Sequence, residues 1–321
     1  MKPTFIDIFA GAGLFSAGLM KAGFEPLLAV ELAPEAAASY GRNVSSCIVQ
    51  GPATKLPKVP RVDVLIAGPP CQGFSTLGRR DPSDERNALS LAILPWVREA
   101  KPKIVVVENV PPFVTSVQWR RIARAMEELG FVVDVWLLDA ADFGTAQLRR
   151  RAFTVASRVG PITPPKPRRK LLTAADILLT GKPLSRHDPM HVWPEPKGIA
   201  AERIALIPPN GDKRDLVVKA PQLCPPSWFK IGCQATDAWG RIDPNQPANT
   251  IRCTFQNPSK GRYLHPTENR VLSLREGARL QGVPDDWIFE GRAYPVARQI
   301  GNGVPIPLAA AVGRSIAARI Q

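Results

Sequence analysis

Residues 61–75 read R-V-D-V-L-I-A-G-P-P-C-Q-G-F-S and place a reactive side chain directly after an apolar run. The run Val62–Ile66 predicts a short buried strand, and Gly68–Pro70 ends it in a turn. Cys71 therefore follows on a loop at the carboxyl end of the strand, where open α/β sheets hold their chemistry. The alternative is that Cys71 is a small buried apolar side chain, as most lone cysteines are.

The N-terminal segment predicts a strand–helix–strand unit with a ligand turn. Thr4–Phe9 is a first strand, Gly11–Gly13 a tight turn, and a helix begins near Leu14. The second strand, Leu27–Glu31, ends in an acid about 20 residues after the glycines, a spacing that suits a pair of ribose hydroxyls. Ser16 stands where a dinucleotide fingerprint has its third glycine, which favours a different adenosine-bearing cofactor.

Strand and helix patterns continue to alternate up to about residue 157. Ile104–Val107 is a second all-apolar strand, and Glu108 follows it at once. This alternation predicts an α/β fold with a largely parallel sheet and helices on both faces. The further predicted elements are helices Ala33–Arg42, Leu89–Ala100 and Arg120–Leu129 and strands Cys47–Val49, Val132–Leu138 and Arg151–Ser157.

The middle of the chain has a different texture. Thirteen prolines lie between Pro161 and Pro226, and the alternation disappears. This predicts a second, smaller and irregular module. A disordered insert is the alternative, but several large apolar residues favour a small core: Trp193, Ile204, Leu206, Ile207, Trp228 and Trp239.

The formal charge of +14 is concentrated in the same region. Residues 158–270 hold 18 lysines and arginines against 9 acidic residues, a net charge of +9. Such a basic segment favours a polyanionic partner, most simply nucleic acid, over a basic surface without a partner.

Cysteine usage and hydropathy exclude several classes of protein. The five cysteines form no C-x-x-C pair, which favours a reduced, cytoplasmic chain and gives no spacing for zinc. No run of about 18 apolar residues exists to cross a membrane. The N-terminus reads M-K-P-T-F-I-D-I-F, which is a strand containing an acid and not a signal peptide.

Cys71, Glu108 and the basic run around Gln147–Arg151 form a coherent chemical set. Adjacent parallel strands bring Cys71 and Glu108 to one sheet edge. A thiolate beside a carboxyl and a guanidinium suits an electron-poor ring: sulfur adds, the acid protonates a ring nitrogen, and arginine holds a carbonyl oxygen. Taken alone, Glu108 is equally well a capped strand end, and the arginines a solvated basic run.

Over nearly its whole length the chain resembles the DNA (cytosine-5) methyltransferases. The ordered motifs are F-I-D-I-F-A-G-A-G, G-P-P-C-Q-G-F-S, E-N-V, Q-L-R-R-R, R-V-L-S-L-R-E-G-A-R-L-Q-G and Q-I-G-N-G-V-P. The resemblance implies a Rossmann-like methyltransferase sheet and methyl transfer from S-adenosylmethionine to cytosine C5 in duplex DNA. It assigns residues 1–160 and 295–321 to the catalytic and cofactor-binding domain, and 161–294 to a target-recognition domain and hinge.

The resemblance also implies roles for individual residues. Cys71 is the nucleophile that adds to cytosine C6, Glu108 contacts N3 and the amino edge, and Arg151 holds O2. Gln147 and Arg149 brace this catalytic set. The cofactor-binding residues are Phe9, Gly11, Gly13, Leu14, Glu31, Leu32, Pro70, Leu89, Asn302 and Val304, and the DNA-binding residues are Ser75, Arg79, Arg80, Thr250 and Arg252.

Three positions depart from the family pattern. Pro52 stands where an acid usually contacts adenine, Leu32 where a larger, flatter side chain often stacks, and Gly303 in place of a common Ser or Ala. We expect a monomer without metal that acts on double-stranded DNA at the nucleoid, with no membrane contact, and a cognate restriction endonuclease as a possible partner.

Two alternatives remain open on the sequence. The related tRNA-methylating branch shares the catalytic motifs, but its Cys-Phe-Thr signature is replaced by C-T-F at residues 253–255. A non-enzymatic DNA-binding protein of the same fold would have no use for Cys71 as a nucleophile.

Overall fold

The computed structural model describes residues 2–70, 85–168, 170–231 and 237–320. Its described strands are β1 (Thr4–Ile8), β2 (Glu25–Glu31), β3 (Ile48–Gln50), β4 (Val64–Ala67), β5 (Ile104–Asn109), β6 (Val132–Asp139) and β7 (Arg150–Ser157). They form one sheet in the order β3-β2-β1-β4-β5-β7-β6. The sheet confirms the α/β fold that the alternating pattern predicts.

Strand direction is uniform except at one position. Strands β1 to β5 pair in parallel, whereas β7 runs antiparallel to both β5 and β6. The prediction of a largely parallel sheet is therefore right. Because β7 runs the other way, the residues that begin it, Arg150 and Arg151, lie at the same sheet edge as Glu108, the next-to-last residue of β5.

The helices of the sheet region are α1 (Leu14–Lys21), α2 (Pro34–Asn43), α3 (Ile93–Ala100), α4 (Val117–Glu128), α10 (Ala293–Asn302) and α11 (Ile306–Ile320). The helix predicted over Leu89–Ala100 is partly wrong, because the α-helix begins at Ile93 and Glu85–Ala92 is a 3₁₀ helix. Pro95 explains the late start: proline is tolerated in the first turn of a helix but breaks its interior.

Two apolar layers sandwich the sheet. Successive residues of a strand point to opposite faces, so Phe5 and Val64 pack with α1 and α11, whereas Ile6 and Leu65 pack with α3 and α4. Helices α1 and α11 touch closely at Gly18, where a Cβ would overlap Ala309. The last helix is therefore part of the sheet's own core.

The middle segment is short-helical and has its own apolar cluster. Its helices are α5 (Ala174–Leu178), α6 (Ile199–Leu206), α7 (Lys213–Lys219), α8 (Pro226–Ile231) and α9 (Leu274–Leu280). The expected small core exists: Ile204, Ile207 and Trp239 are buried together, and Trp193 and Trp228 pack against them. Leu206 is 46% exposed, so the prediction that it belongs to this core is wrong. It lies two residues from Ile204, roughly opposite on α6.

Candidate active site

The turn that leads to Cys71 is hydrogen-bonded to the edge formed by β4 and β5 and lies beside Glu108. The two strands pair up to Ala67 and Val107. Beyond them, Asn109 Nδ2 donates to the Pro69 carbonyl at 3.2 Å. A Cβ on Gly68 would lie 3.8 Å from a Glu108 oxygen. Cys71 itself lies outside the described residues, as do Ser75, Arg79 and Arg80.

Glu108 and Arg151 form a nearly buried ion pair at this edge. Arg151 Nε lies 2.9 Å from Glu108 Oε1, and the side chains are 14% and 10% exposed. Burial raises the pKa of Glu108 above its usual value, and the charges of Arg151 and Arg149 only partly oppose this effect. The carboxyl therefore holds a proton to higher pH than an ordinary glutamate, as a proton donor must.

Arg149 and Gln147 tie the edge to the rest of the molecule. Arg149 donates from Nη1 to the Ile251 carbonyl at 3.0 Å and from Nη2 to the Gly301 carbonyl at 2.8 Å. Gln147 is fully buried: its Oε1 accepts from the Ile251 amide at 2.7 Å, and its Nε2 donates to Leu280 and Gln281. These contacts support a bracing role for both residues, which stays a prediction.

The turn after β1 forms a cradle closed by Glu31. Phe9, Gly11 and Gly13 have positive φ angles of 62°, 55° and 89°. Glu31 Oε2 accepts from the Gly11 amide and Oε1 from the Ala33 amide, both at 2.8 Å. A Cβ at Gly13 would lie 2.6 Å from Val44 Cγ2, whereas one at Gly11 would meet nothing within 4 Å. The turn is thus packed on one side and open on the other.

The remaining predicted cofactor residues differ in exposure. Leu32 is 67% exposed beside Glu31, whereas Val304 is 5% exposed and belongs to the apolar layer of α11. Pro70 and Leu89 are half-buried, and Asn302 is exposed at the end of α10. Asn302 Oδ1 accepts from the Cys253 thiol at 2.8 Å. Cys253 is not among the predicted site residues, and its sequence position next to Arg252, a predicted DNA-binding residue, is the signal that points to this site.

The unusual Gly303 has a steric explanation in this chain. A Cβ there would overlap Cδ1 of Leu14, the first residue of α1. Serine or alanine at this position would require Leu14 to move. The glycine therefore matches the local packing of the turn that precedes Val304.

A buried acid beneath the cradle was not identified as a site residue, although the acid in the first strand is visible in the sequence. Asp7 is 1% exposed. Its Oδ2 accepts from Ser16 Oγ at 2.6 Å, and Ser16 Oγ lies 3.0 Å from Tyr40 OH. Burial raises the pKa of Asp7 to about 7, the Ser16 hydrogen bond opposes this, and the charge of Glu31 adds to it. Ser16 occupies the position where a dinucleotide fingerprint has glycine, and its hydroxyl is bonded to Asp7.

Of the two predicted DNA-binding residues of the middle segment, Thr250 contacts the residues that precede β7. Thr250 Oγ1 donates to the Leu148 carbonyl at 2.7 Å, and Tyr263 OH donates to the Thr250 carbonyl at 3.1 Å. Arg252 is half-buried, with Nη1 3.4 Å from the Lys260 carbonyl. The bond from Thr250 to Leu148 joins this segment to the residues that precede β7, whereas the other two bonds lie within the segment.

Two features are absent from the described ranges. No group of three or more metal-ligating side chains is found there, and no helix of that part of the chain is long and apolar enough to cross a membrane.

Comparison with known proteins shows which family this chain resembles. The model of the C-5 cytosine-specific DNA methylase family matches residues 3–182 and 226–318. The Type II methyltransferase M.PspPI of Psychrobacter sp. is 31% identical over 98% of this chain and 78% of its own length. M.Eco47II of Escherichia coli, also a Type II methyltransferase, is 31% identical over the same shares.

Solved structures share the fold. A protein described as a prophage-encoded DNA modification methyltransferase from E. coli superposes with a TM-score of 0.70 at 23% identity, covering 99% of each chain. The Entamoeba histolytica methyltransferase EhMeth gives a TM-score of 0.69 at 12% identity, over 100% of this chain and 99% of that one. The family match covers both the sheet edge of Glu108 and Arg151 and the segment of Thr250, and the chain therefore belongs to the C-5 cytosine-specific DNA methylase family.

Proposed function

We propose that this protein transfers a methyl group from S-adenosylmethionine to C5 of a cytosine in a specific duplex DNA sequence. The observation that carries the proposal is the Glu108–Arg151 pair, 2.9 Å apart, beside the turn that leads to Cys71. A carboxyl group with a raised pKa can protonate a ring nitrogen, and a guanidinium can stabilise a neighbouring carbonyl oxygen.

The proposed chemistry uses three side chains in sequence. The Cys71 thiolate adds to C6 while Glu108 donates its proton to N3 and Arg151 donates hydrogen bonds to O2, so that the electron pair of the C5–C6 bond becomes nucleophilic at C5. When bound, S-adenosylmethionine supplies the methyl group that C5 accepts. Loss of the C5 proton to a base then breaks the C6–S bond, and the N3 proton returns to Glu108.

The target base has to leave the helix for this reaction. C5 and C6 lie within the base stack, out of reach of a cysteine, so the enzyme must extrude the cytosine into its pocket. We propose that Ser75, Arg79 and Arg80 contact the DNA when the base is extruded.

The cradle after β1 fits S-adenosylmethionine. The open side of the turn at Gly11 allows close backbone approach. Each Glu31 oxygen accepts one amide and keeps a lone pair for a ribose hydroxyl. Exposed Leu32 offers an apolar surface to adenine. We propose that these residues and the other predicted cofactor-binding residues bind S-adenosylmethionine.

We propose that residues 161–294 recognise the DNA sequence, and that residues 1–160 and 295–321 form the catalytic domain. The net charge of +9 over residues 158–270 supports phosphate contacts by this region. We further propose a monomer. Since relatives are named Type II methyltransferases, we expect a cognate endonuclease of the same specificity.

One experiment tests this function directly. Expression in a host without cytosine-5 methylation, followed by methylation sequencing, should reveal a single DNA motif. A duplex with 5-fluorocytosine at that target should then form a covalent adduct that requires S-adenosylmethionine, because fluorine cannot leave C5 as a cation. Cys71→Ser should form no adduct, yet bind the duplex, because a hydroxyl is far harder to ionise than a thiol. Methylation of tRNA but not of duplex DNA would overturn the proposal in favour of the tRNA branch.

A further inference from the structure

A basic groove lies on the sheet face covered by α11, outside the site described above. It is a cavity of about 550 Å³ between α11 and the proline-rich segment that follows β7. Its floor includes buried Phe143 and Ile162, which belong to the apolar layer beneath α11. Prolines at 161, 164 and 165 form the outer wall and restrict its backbone.

Among the described residues, four cations line this basic groove: Lys166, Arg168, Arg314 and Arg319. No aspartate or glutamate in that part of the chain contributes to its lining. Within the described ranges, no carboxylate forms an ion pair with any of the four. All four side chains are exposed, so their positive charges add at the groove and favour a ligand with several negative charges.

Two of the arginines pack closely on glycines with left-handed backbones, and one of them is also hydrogen-bonded. The Arg168 guanidinium covers Gly144 (φ 98°), where a Cβ would lie 2.6 Å from Nη1. Arg319 covers Gly160 (φ 95°), and its Nε donates to the Val159 carbonyl at 2.7 Å. A guanidinium that is already oriented loses less entropy when it binds a phosphate.

The position of the groove relates it to the catalytic edge. The Arg168 amide donates to the Asp142 carbonyl at 2.7 Å, and Asp142 follows β6 immediately beyond the pairing of Asp139 with Arg150. One end of the groove thus lies at the sheet edge of Arg151, whereas Gly160, at its other end, follows the opposite end of β7.

We propose that the basic groove binds the phosphodiester backbone of DNA that extends beyond the target sequence. This inference rests on the proposed action on duplex DNA. Arginine and lysine are the side chains that bind phosphates, and they add affinity without reading sequence. The groove, whose outer wall is the first stretch of residues 161–294, therefore lengthens the DNA footprint and leaves sequence specificity to the later part of that region, which carries Thr250 and Arg252.

The test compares two duplex lengths. Lys166→Ala/Arg314→Ala removes two exposed charges, and Arg121→Ala/Arg124→Ala removes two from α4 on the opposite face of the sheet. Fluorescence anisotropy measures affinity against salt for duplexes of roughly 12 and 40 base pairs with the same central target. With the long duplex, the groove variant should bind more weakly and lower the slope of log K against log salt by about 2.

The short duplex and the control variant separate the outcomes. The groove variant should bind and methylate the short duplex like the wild type, and the α4 variant should match the wild type on both. Lys166→Arg/Arg314→Lys should restore the long-duplex slope. Equal losses on both lengths, or an unchanged slope on the long duplex, would overturn the groove proposal. Absence of methylation by the wild type would overturn the proposed function instead.

Discussion

Glu108→Gln should separate the chemistry of this protein from its stability. Glutamine keeps the size of the side chain and its place beside Arg151 but has no acidic proton for N3. General acid catalysis contributes about 10²–10⁴-fold to a rate, or roughly 3–5 kcal/mol of barrier. We therefore expect single-turnover methyl transfer to slow by that factor, while the Kd for duplex DNA stays close to the wild-type value.

The stability of this variant follows from the environment of Glu108. Removing one partner of a buried ion pair usually destabilises by about 3–5 kcal/mol. Here the pKa of Glu108 is raised despite Arg151, so folding already disfavours its ionised form at neutral pH. The wild type gains stability from this group below its unfolded pKa, near 4.5, and loses it as the pH rises through the folded value. The neutral amide lacks this loss, so the free energy of unfolding at pH 7 should fall by less than that usual amount.

Single-turnover kinetics, DNA anisotropy and urea unfolding on one preparation provide the test. The alkaline limb of the wild-type rate profile that reports loss of the Glu108 proton should disappear in the variant. Glu127→Gln, on the exposed side of α4, is the matched control and should behave as wild type. A Glu108→Gln rate within about threefold of wild type would refute the role of proton donor.

Three further substitutions test the surroundings of the site. Glu31→Ala should weaken S-adenosylmethionine binding by about ten- to a hundredfold in calorimetry, because ribose hydroxyls lose a charged acceptor; an unchanged Kd would refute the assignment. Gln147→Ala removes three buried hydrogen bonds and should lower the free energy of unfolding by about 3 kcal/mol, whereas Leu148→Ala, at an exposed neighbour, should not. The free energy of unfolding of the wild type should fall by at most about 4 kcal/mol as the pH rises from about 4 through about 7, because the raised pKa of Asp7 stabilises the folded protein with Asp7 protonated. Asp7→Asn should abolish this fall. A parallel pH dependence in wild type and variant would show that another group titrates.

Local patterns predict the sheet correctly because apolar periodicity and glycine turns are themselves the features that determine its strands and helices. A short all-apolar run such as Ile104–Val107, rich in β-branched residues, favours a buried central strand, and the glycine turn before Leu14 favours the start of a helix. The start of α3 was predicted too early because apolar periodicity continued through a 3₁₀ segment, and the restriction imposed by Pro95 was not taken into account. Leu206 was misplaced because hydrophobicity does not say which side of a short helix faces inward.

The site was predictable where strand ends bring residues together and less so where distant segments meet. Glu108 and Arg151 follow from adjacent strands. The bonds from Arg149 to Ile251 and Gly301 join residues more than a hundred positions apart, and no local pattern encodes them. The hydrogen bond from Cys253 to Asn302 depends likewise on how the middle segment meets α10.

The close contact of Gly18 with Ala309 has a consequence for biosynthesis. Until Ile306–Ile320 leaves the ribosome, the sheet face that contains Phe5 and Val64 has no α11 to cover it. At about 5–20 residues per second, most of the chain emerges before that helix is available. The nascent protein therefore exposes an apolar surface for roughly ten to fifty seconds. Chaperone dependence and inclusion-body formation should be most sensitive to substitutions along α11, even though that helix forms late.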